Sequence, residues 1–279
     1  MRQMFKRQLA VVGGLTVLLM AVPSANHSWG NYHWSLSTSV LTLQTGDNVT
    51  SAWDAYLDEA IDDWNTSAVI ELVKVAGGTR ARQCKPTSGR IEVCNERYGS
   101  NGWLGIAQIW VSGSHITQAI TKLNDTYFNT ATYNTPAWRR LVTCQEIAHD
   151  FGLAHQDETF DNVNLGSCMD YTNDPDGGAG GVSNNDPSNE HPNSHDFSQL
   201  LQIYNHTHSA SSAVVPQGND NRGADVADDD RPSTWGKLVR SSRDGRVQVF
   251  ELDLGRGAKK VTHVFWADPE KDSRGHDEH

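Results

Sequence analysis

Apolar residues recur at α-helical spacing in three stretches of this 279-residue chain. The first begins at 48–50, and its apolar positions lie three or four residues apart: Trp53, Tyr56, Leu57, Ala60, Ile61 and Trp64. Thr135 as N-cap and Pro136 at the first helical position predict the start of a second helix, which ends near Gly152. A third helix is predicted over 195–204.

Runs of β-branched and aromatic residues predict strands around these helices. Five runs precede the second helix: 35–43, 69–76, 90–93, 103–111 and 114–123. Three more follow the third helix: 235–240, 246–254 and 260–266. Between the first two of these, Asp244 and Gly245 supply a tight hairpin turn.

Shifts in composition divide the second half of the chain. Residues 209–232 are rich in Ser, Asn, Asp and Gly, which is the composition of a linker. We expect 233–267 to form a small β-strand appendage, because this segment is too short for a substantial core of its own. Docking on the preceding domain and acting as an accessory module both remain open for it. Residues 268–279 are predicted to be a disordered tail.

The start of the chain has the features of an export signal. Arg2, Lys6 and Arg7 are followed by a short apolar run and small residues, which predicts a signal peptide over 1–25 with cleavage near Ala25. The apolar run is too short for a comfortable membrane span, although an uncleaved anchor is the alternative. We therefore expect a secreted, extracellular protein without stable membrane insertion after cleavage. The net charge of -11 argues against a nucleic-acid partner.

The end of the second predicted helix carries the candidate chemistry. Gln145 and His149 are four residues apart, so on a helix they project from one face. Glu146 lies roughly 100° round the helix, close enough to reach a metal-bound water without binding the metal. Gly152 permits a left-handed stop, after which the chain can turn back and bring His155 toward His149. This spacing predicts a zinc site with a carboxylate base beside it.

The same stretch resembles the metzincin signature H-E-x-x-H-x-x-G-x-x-H, with Gln145 in place of its first His. Downstream of His155, the segment Ser167-Cys168-Met169-Asp170-Tyr171 resembles the Met-turn of that family, and Tyr171 matches the pattern of astacins and serralysins. The core looks matrixin-like, and it is similar to secreted prokaryotic proteins that carry Q-E-x-x-H. A weaker architectural resemblance extends over most of 30–206.

This resemblance implies an α+β fold. We expect a metzincin-like catalytic domain over 26–208, with a twisted, mainly parallel sheet, a long backing helix, the active-site helix, the Met-turn and a C-terminal helix. In the family plan, strand 103–111 is the upper edge of the cleft and pairs with extended substrate. An ordinary buried strand is the alternative for these residues.

The resemblance also implies a ligand set and an activity. His149 and His155 would be zinc ligands, and Glu146 would be the general base for a metal-activated water. Gln145 could offer its amide oxygen to the zinc, and Tyr171 could bind the zinc or stabilise the oxyanion. We therefore expect a secreted, monomeric zinc endopeptidase that acts on protein or peptide substrates.

Gln145 motivates a second hypothesis, in which a catalytically weak or inactive metzincin-like scaffold serves as an extracellular binding protein. A metal-dependent hydrolase of a non-peptide substrate is a third. A structural calcium ion is a further candidate in the Gly-, Asn-, Asp- and Pro-rich loop after the Met-turn, although a flexible loop is the alternative there. Three carboxylates are its candidate ligands: Asp174, Asp176 and Asp186.

Export would make disulfides available to the four cysteines, which allow three connectivities. Cys84 and Cys94 enclose a small loop, and Cys144 and Cys168 would tie the active-site helix to the Met-turn. We favour these two pairs because the second pair flanks two parts of the same site. A catalytic thiol at Cys144 is the rival hypothesis.

Overall fold

The computed structural model describes four ranges of the chain: 28–179, 183, 185–205 and 230–268. The predicted signal peptide lies outside them, as do most of the predicted linker and of the predicted tail. Within these ranges, no helix is long and apolar enough to span a membrane.

The described residues form nine strands: β1 (His33–Trp34), β2 (Leu41–Asn48), β3 (Ile70–Ala76), β4 (Arg90–Glu96), β5 (Trp103–Ser112), β6 (His115–Asn124), β7 (Lys237–Ser241), β8 (Val247–Gly255) and β9 (Ala258–Trp266). They also form four α-helices: α1 (Asp54–Trp64), α2 (Asp125–Phe128), α3 (Pro136–Asp150) and α4 (Ser194–Tyr204). The combination of one sheet with few helices is an α+β architecture.

All nine strands belong to one sheet, in the order β3-β2-β4-β6-β5-β9-β8-β7, with β1 beside β6. The sheet is mixed rather than mainly parallel. Its first part is parallel, because β2 pairs with β3 and β4, and β6 pairs with β1 and β4, in that sense. From β5 onward every pairing is antiparallel. The pairing changes from parallel to antiparallel at the hairpin between β5 and β6, and the C-terminal strands continue the antiparallel pairing.

The strands predicted as a small appendage continue this sheet. Strand β9 pairs with β5 from Ser112 opposite Ala258 to Trp103 opposite Trp266. Strand β5 therefore has β6 on one side and β9 on the other. The edge that the family plan reserves for extended substrate is occupied in this structure by the chain's own C-terminal strand.

Helices α1 and α3 pack together and place the candidate site against the sheet. The predicted apolar face of α1 is buried, with Leu57, Ala60 and Ile61 in the core. Trp64 at its end donates from Nε1 to the carbonyl oxygen of Cys144 in α3, at 3.1 Å. This contact fixes α1 beside the part of α3 that carries the candidate residues.

The first long strand lies later in the chain than the pattern 35–43 predicts. Residues 37–40 bend instead, and Thr38 donates from its hydroxyl to the carbonyl of Val40. Short hydroxyl side chains compete in this way with strand hydrogen bonding. The strand continues to Asn48 because β3 and β4 both pair with its second half.

Candidate metal centre

Helix α3 begins and ends as its sequence predicts. The Thr135 side chain caps it by accepting from the backbone N–H of Trp138, and Pro136 is its first residue. At the other end Gly152 has φ +95°, and a Cβ there would lie 2.2 Å from the carbonyl oxygen of Tyr32. A glycine is required at this turn for both reasons, since L side chains rarely adopt that backbone conformation. The turn redirects the chain toward His155.

Three imidazoles meet beside α3. The ligand nitrogens of His149, His155 and His263 all lie within 4.8 Å of one another, and all three side chains are buried. The ring of His263 lies 3.8 Å from that of His149 and 4.6 Å from that of His155, measured between centroids. Within the part of the chain that the structure describes, this is the one group of potential metal-binding side chains.

Hydrogen bonding selects the tautomer of His149. Its Nδ1 lies 2.7 Å from the carbonyl oxygen of Leu153, which can only accept, so Nδ1 carries the proton. The lone pair is therefore on Nε2, the nitrogen available to a metal ion. Fixing one ring nitrogen to a backbone carbonyl is the usual way in which proteins orient a metal-binding imidazole.

His263 is the member of this group that the sequence does not predict. It lies on β9 opposite Ala107 of β5, and neither of its ring nitrogens makes a hydrogen bond within the described structure. Burial lowers its pKa well below the ordinary value, and the charges of His149 and His155 add to this effect. The available signal was a lone imidazole in an apolar strand, between Val261 and Val264. That signal gives no indication of which distant residues the strand meets.

Glu146 lies fully buried next to β5. Neither carboxylate oxygen has a hydrogen-bond partner in the described structure. Burial raises the pKa of Glu146 well above its ordinary value, and the nearby charge of Asp150 raises it further. An ideal Cβ at Gly105 of β5 would lie 2.8 Å from Glu146 Cγ, so the carboxylate is placed by direct packing on a glycine. A buried carboxyl group without a partner is costly unless something binds it.

The other two predicted site residues also lie in the interior. Gln145 donates from Nε2 to the carbonyl oxygen of Cys168 at 2.7 Å, while its Oε1 is buried without a hydrogen-bond partner in the described structure. Tyr171 accepts at its hydroxyl from the backbone N–H of Trp266 at 3.0 Å and donates to the carbonyl of Arg246 at 2.9 Å. The phenol of Tyr171 is thus bound to the C-terminal strands, and its ring lies 5.3 Å from that of His155.

Both predicted disulfides are confirmed. Cys84 pairs with Cys94, and Cys144 pairs with Cys168, which leaves no free thiol among the cysteines. The second bond joins α3 to the turn that contains Met169, a residue with no exposed surface. Cys144 is therefore a structural link in this chain, and the rival hypothesis of a catalytic thiol is wrong.

The donor set fits a zinc ion. Three neutral imidazoles are typical zinc ligands, and the unsatisfied carboxylate of Glu146 lies on the same helix as His149. Burial also lowers the pKa of His155, which keeps its ring in the neutral form that binds metals. The carboxylates proposed for calcium do not form such a group with their described neighbours, and Asp186 instead accepts from the backbone N–H of Ser183.

No protein-family model matches the chain, and no curated protein matches it. One solved structure that aligns with this chain is high choriolytic enzyme 1, a hatching enzyme zinc-protease from the medaka fish Oryzias latipes. It is 11% identical, with a TM-score of 0.31, and the alignment covers 63% of this chain and 95% of that one. A likeness of this size carries no argument about activity, which must rest on the site itself.

Proposed function

We propose that this protein is a zinc-dependent peptidase in which Glu146 is the general base. The observation that carries this proposal is the buried carboxylate of Glu146, whose oxygens lack partners, on the same helix as His149. The imidazoles of His149, His155 and His263 would hold the metal. Bound zinc polarises a peptide carbonyl and lowers the pKa of a water molecule.

The protein residues supply binding, orientation and proton transfer. Glu146 takes a proton from the attacking water on a carboxylate oxygen and passes it to the departing amine. Its raised pKa matches this role, because a base and acid that acts near neutral pH must both accept and release a proton there. The orphaned Oε1 of Gln145 is a further candidate donor to the metal. Tyr171 would stabilise the oxyanion only after its hydroxyl leaves the backbone of the C-terminal strands.

Glu146→Gln tests the assignment of the base. The wild-type chain is expected to contain zinc and to hydrolyse an unstructured protein slowly, in a reaction that a chelator stops. The variant should keep its zinc, because Glu146 is not a ligand, and should lose hydrolysis by at least about a hundredfold. Zinc content by mass spectrometry and product formation by chromatography are the two measurements.

The matched control is Glu71→Gln, an exposed carboxylate on β3, at the end of the sheet away from the site, that accepts from the Thr42 hydroxyl. It should retain most of the hydrolysis. A zinc-free wild-type chain that cleaves nothing would support the binding-scaffold hypothesis instead.

A further inference from the structure

The C-terminal strands, β7 to β9, cover the candidate site completely. Glu146, His149 and Tyr171 have no exposed surface, and His155 and His263 retain 6% and 3%. A polypeptide cannot reach a general base that is sealed in this way. Strand β9 is the part of this cover that contacts the site directly, because it carries His263 and the Trp266 N–H that donates to the Tyr171 hydroxyl.

Strand β9 lies where an extended polypeptide would bind. Glu146 packs on Gly105 of β5, and β9 forms an antiparallel ladder along the edge of β5 that faces away from β6. Opposite Gly105 stands Phe265, and opposite Ala107 stands His263. A peptide added to the edge of a sheet gains main-chain hydrogen bonds whatever its side chains are. In this structure β9 makes those bonds.

Several other contacts hold the C-terminal strands over the site. Arg240 of β7 forms an ion pair with Glu158 at 2.6 Å, and Glu158 lies beside His155. The guanidinium of Arg246 lies 3.9 Å from the centre of the Phe160 ring. A separate apolar cluster joins these strands to β5 away from the imidazoles: Tyr98, Trp103, Ile106, Trp235, Phe250 and Val264.

From these contacts we infer that the described conformation is a latent form, in which β9 occupies the polypeptide-binding edge of β5 and places His263 on the metal. Displacement of β9 opens the edge, withdraws the His263 imidazole and frees the Tyr171 hydroxyl. The substrate class is then an extended polypeptide that pairs with β5 in place of β9. This inference rests on the proposed function, because it describes how the same site is closed and opened.

A disulfide across the β5–β9 ladder tests the closed form. Ser112 and Ala258 are directly paired at the far end of the ladder from His263. Paired antiparallel residues have Cα atoms about 4.5–5.5 Å apart, within the range that a disulfide spans. In the oxidised Ser112→Cys/Ala258→Cys chain we expect hydrolysis of an unstructured protein to stop and zinc transfer to a chelator to slow. Each single cysteine variant is a control, and should behave as the wild type.

Phe250→Ala tests the opposite direction. Phe250 lies in the apolar cluster and touches Trp235, with ring centres 5.3 Å apart, and it is not one of the candidate site residues. Its truncation should loosen the C-terminal strands, and both zinc release and hydrolysis should accelerate by about tenfold or more. Leu72→Ala in β3, at the other end of the sheet, is the matched control for a general loss of stability.

The two readouts separate the possible failures. Hydrolysis at the wild-type rate in the oxidised Ser112→Cys/Ala258→Cys chain would overturn the inference. Equal rates of zinc release from the Phe250→Ala and Leu72→Ala chains would also overturn it. If all chains bind zinc but none cleaves, the proposed peptidase function fails. Zinc release can in that case still be slowed by the 112–258 disulfide and accelerated by Phe250→Ala. That result would establish β9 as the element that closes the metal site.

Discussion

Single atoms decide the geometry around Glu146. At Gly105, an added Cβ would lie 2.6 Å from Val142 Cγ1 and 3.2 Å from Glu146 Oε1. Both neighbours belong to α3, so any side chain at 105 pushes that helix, or the carboxylate itself, away from β5. The approach of a helix to a strand at this distance is possible only because position 105 has no side chain.

Gly105→Ala should therefore disturb the base and leave the metal in place. A displacement of about 1 Å in a catalytic group can cost about a hundredfold in rate, so hydrolysis should fall by that order. Zinc content should stay at the wild-type level. The control is Gly105→Ala/Val142→Ala, which relieves the shortest contact and retains the one to Glu146. Full activity in the Gly105→Ala chain would show that Glu146 does not need its present position.

The amide of Gln145 gives a second prediction at this scale. Its Nε2 donates a hydrogen bond to the carbonyl oxygen of Cys168, and its Oε1 has no hydrogen-bond partner among the described residues. If that oxygen faces the metal, Gln145→His should tighten zinc binding by at least about tenfold, because imidazole is the stronger donor. Competition with a chromogenic chelator measures this. Gln199→His, at another buried Gln, is the control, and an unchanged affinity in a folded Gln145→His chain would remove residue 145 from the ligand set.

Local pattern was sufficient to predict the three long helices and most of the strands, but not the way in which distant elements meet. The helix that carries His149 was predicted from Thr135, Pro136 and Gly152, since caps and turns depend on a few neighbouring residues. The partner of β9 could not be predicted in this way. Register between strands far apart in sequence depends on the packing of the whole sheet, so the sequence alone did not bring His263 to His149.

Strand β9 itself carries a buried cation. Lys260 is 1% exposed, and burial lowers its pKa to about 8 from an ordinary 10.5, with the charge of Lys122 as a smaller cause. Below about pH 8 both the folded and unfolded chains are protonated here, so the folded state bears the full cost of burying the charge. Between pH 8 and 10.5 only the unfolded chain stays protonated, and this group's contribution to stability rises with pH.

Lys260→Met should consequently raise the free energy of unfolding at pH 7, and the gain should shrink as the pH rises above 8. Denaturant titrations at pH 7 and pH 9.5 measure the difference. The neighbouring Lys259 forms an exposed ion pair with Glu251 at 2.8 Å, so Lys259→Met should change stability little at either pH. Equal effects of the two substitutions at both pH values would contradict the lowered pKa.

Across the whole molecule, the two disulfides have similar expected effects on stability but different effects on the site. Their loops span 10 and 24 residues, for which chain entropy predicts about 3 kcal/mol of stabilisation each. Replacing either pair with Ala should lower the free energy of unfolding by about that amount. Only Cys144→Ala/Cys168→Ala should also speed zinc release, because Cys168 holds the carbonyl that Gln145 binds. Identical zinc release from both chains would mean that this bond does not stabilise the metal site.

The position of β9 in the chain has a consequence for biosynthesis. Strand β5, helix α3 and the turn after α3 are synthesised before residues 237–266. N-terminal parts of a chain generally begin to fold first. The nascent protein therefore passes through a stage in which helix α3 and the edge of β5 exist without their cover. The segment that covers the candidate site is thus made after the residues that it covers.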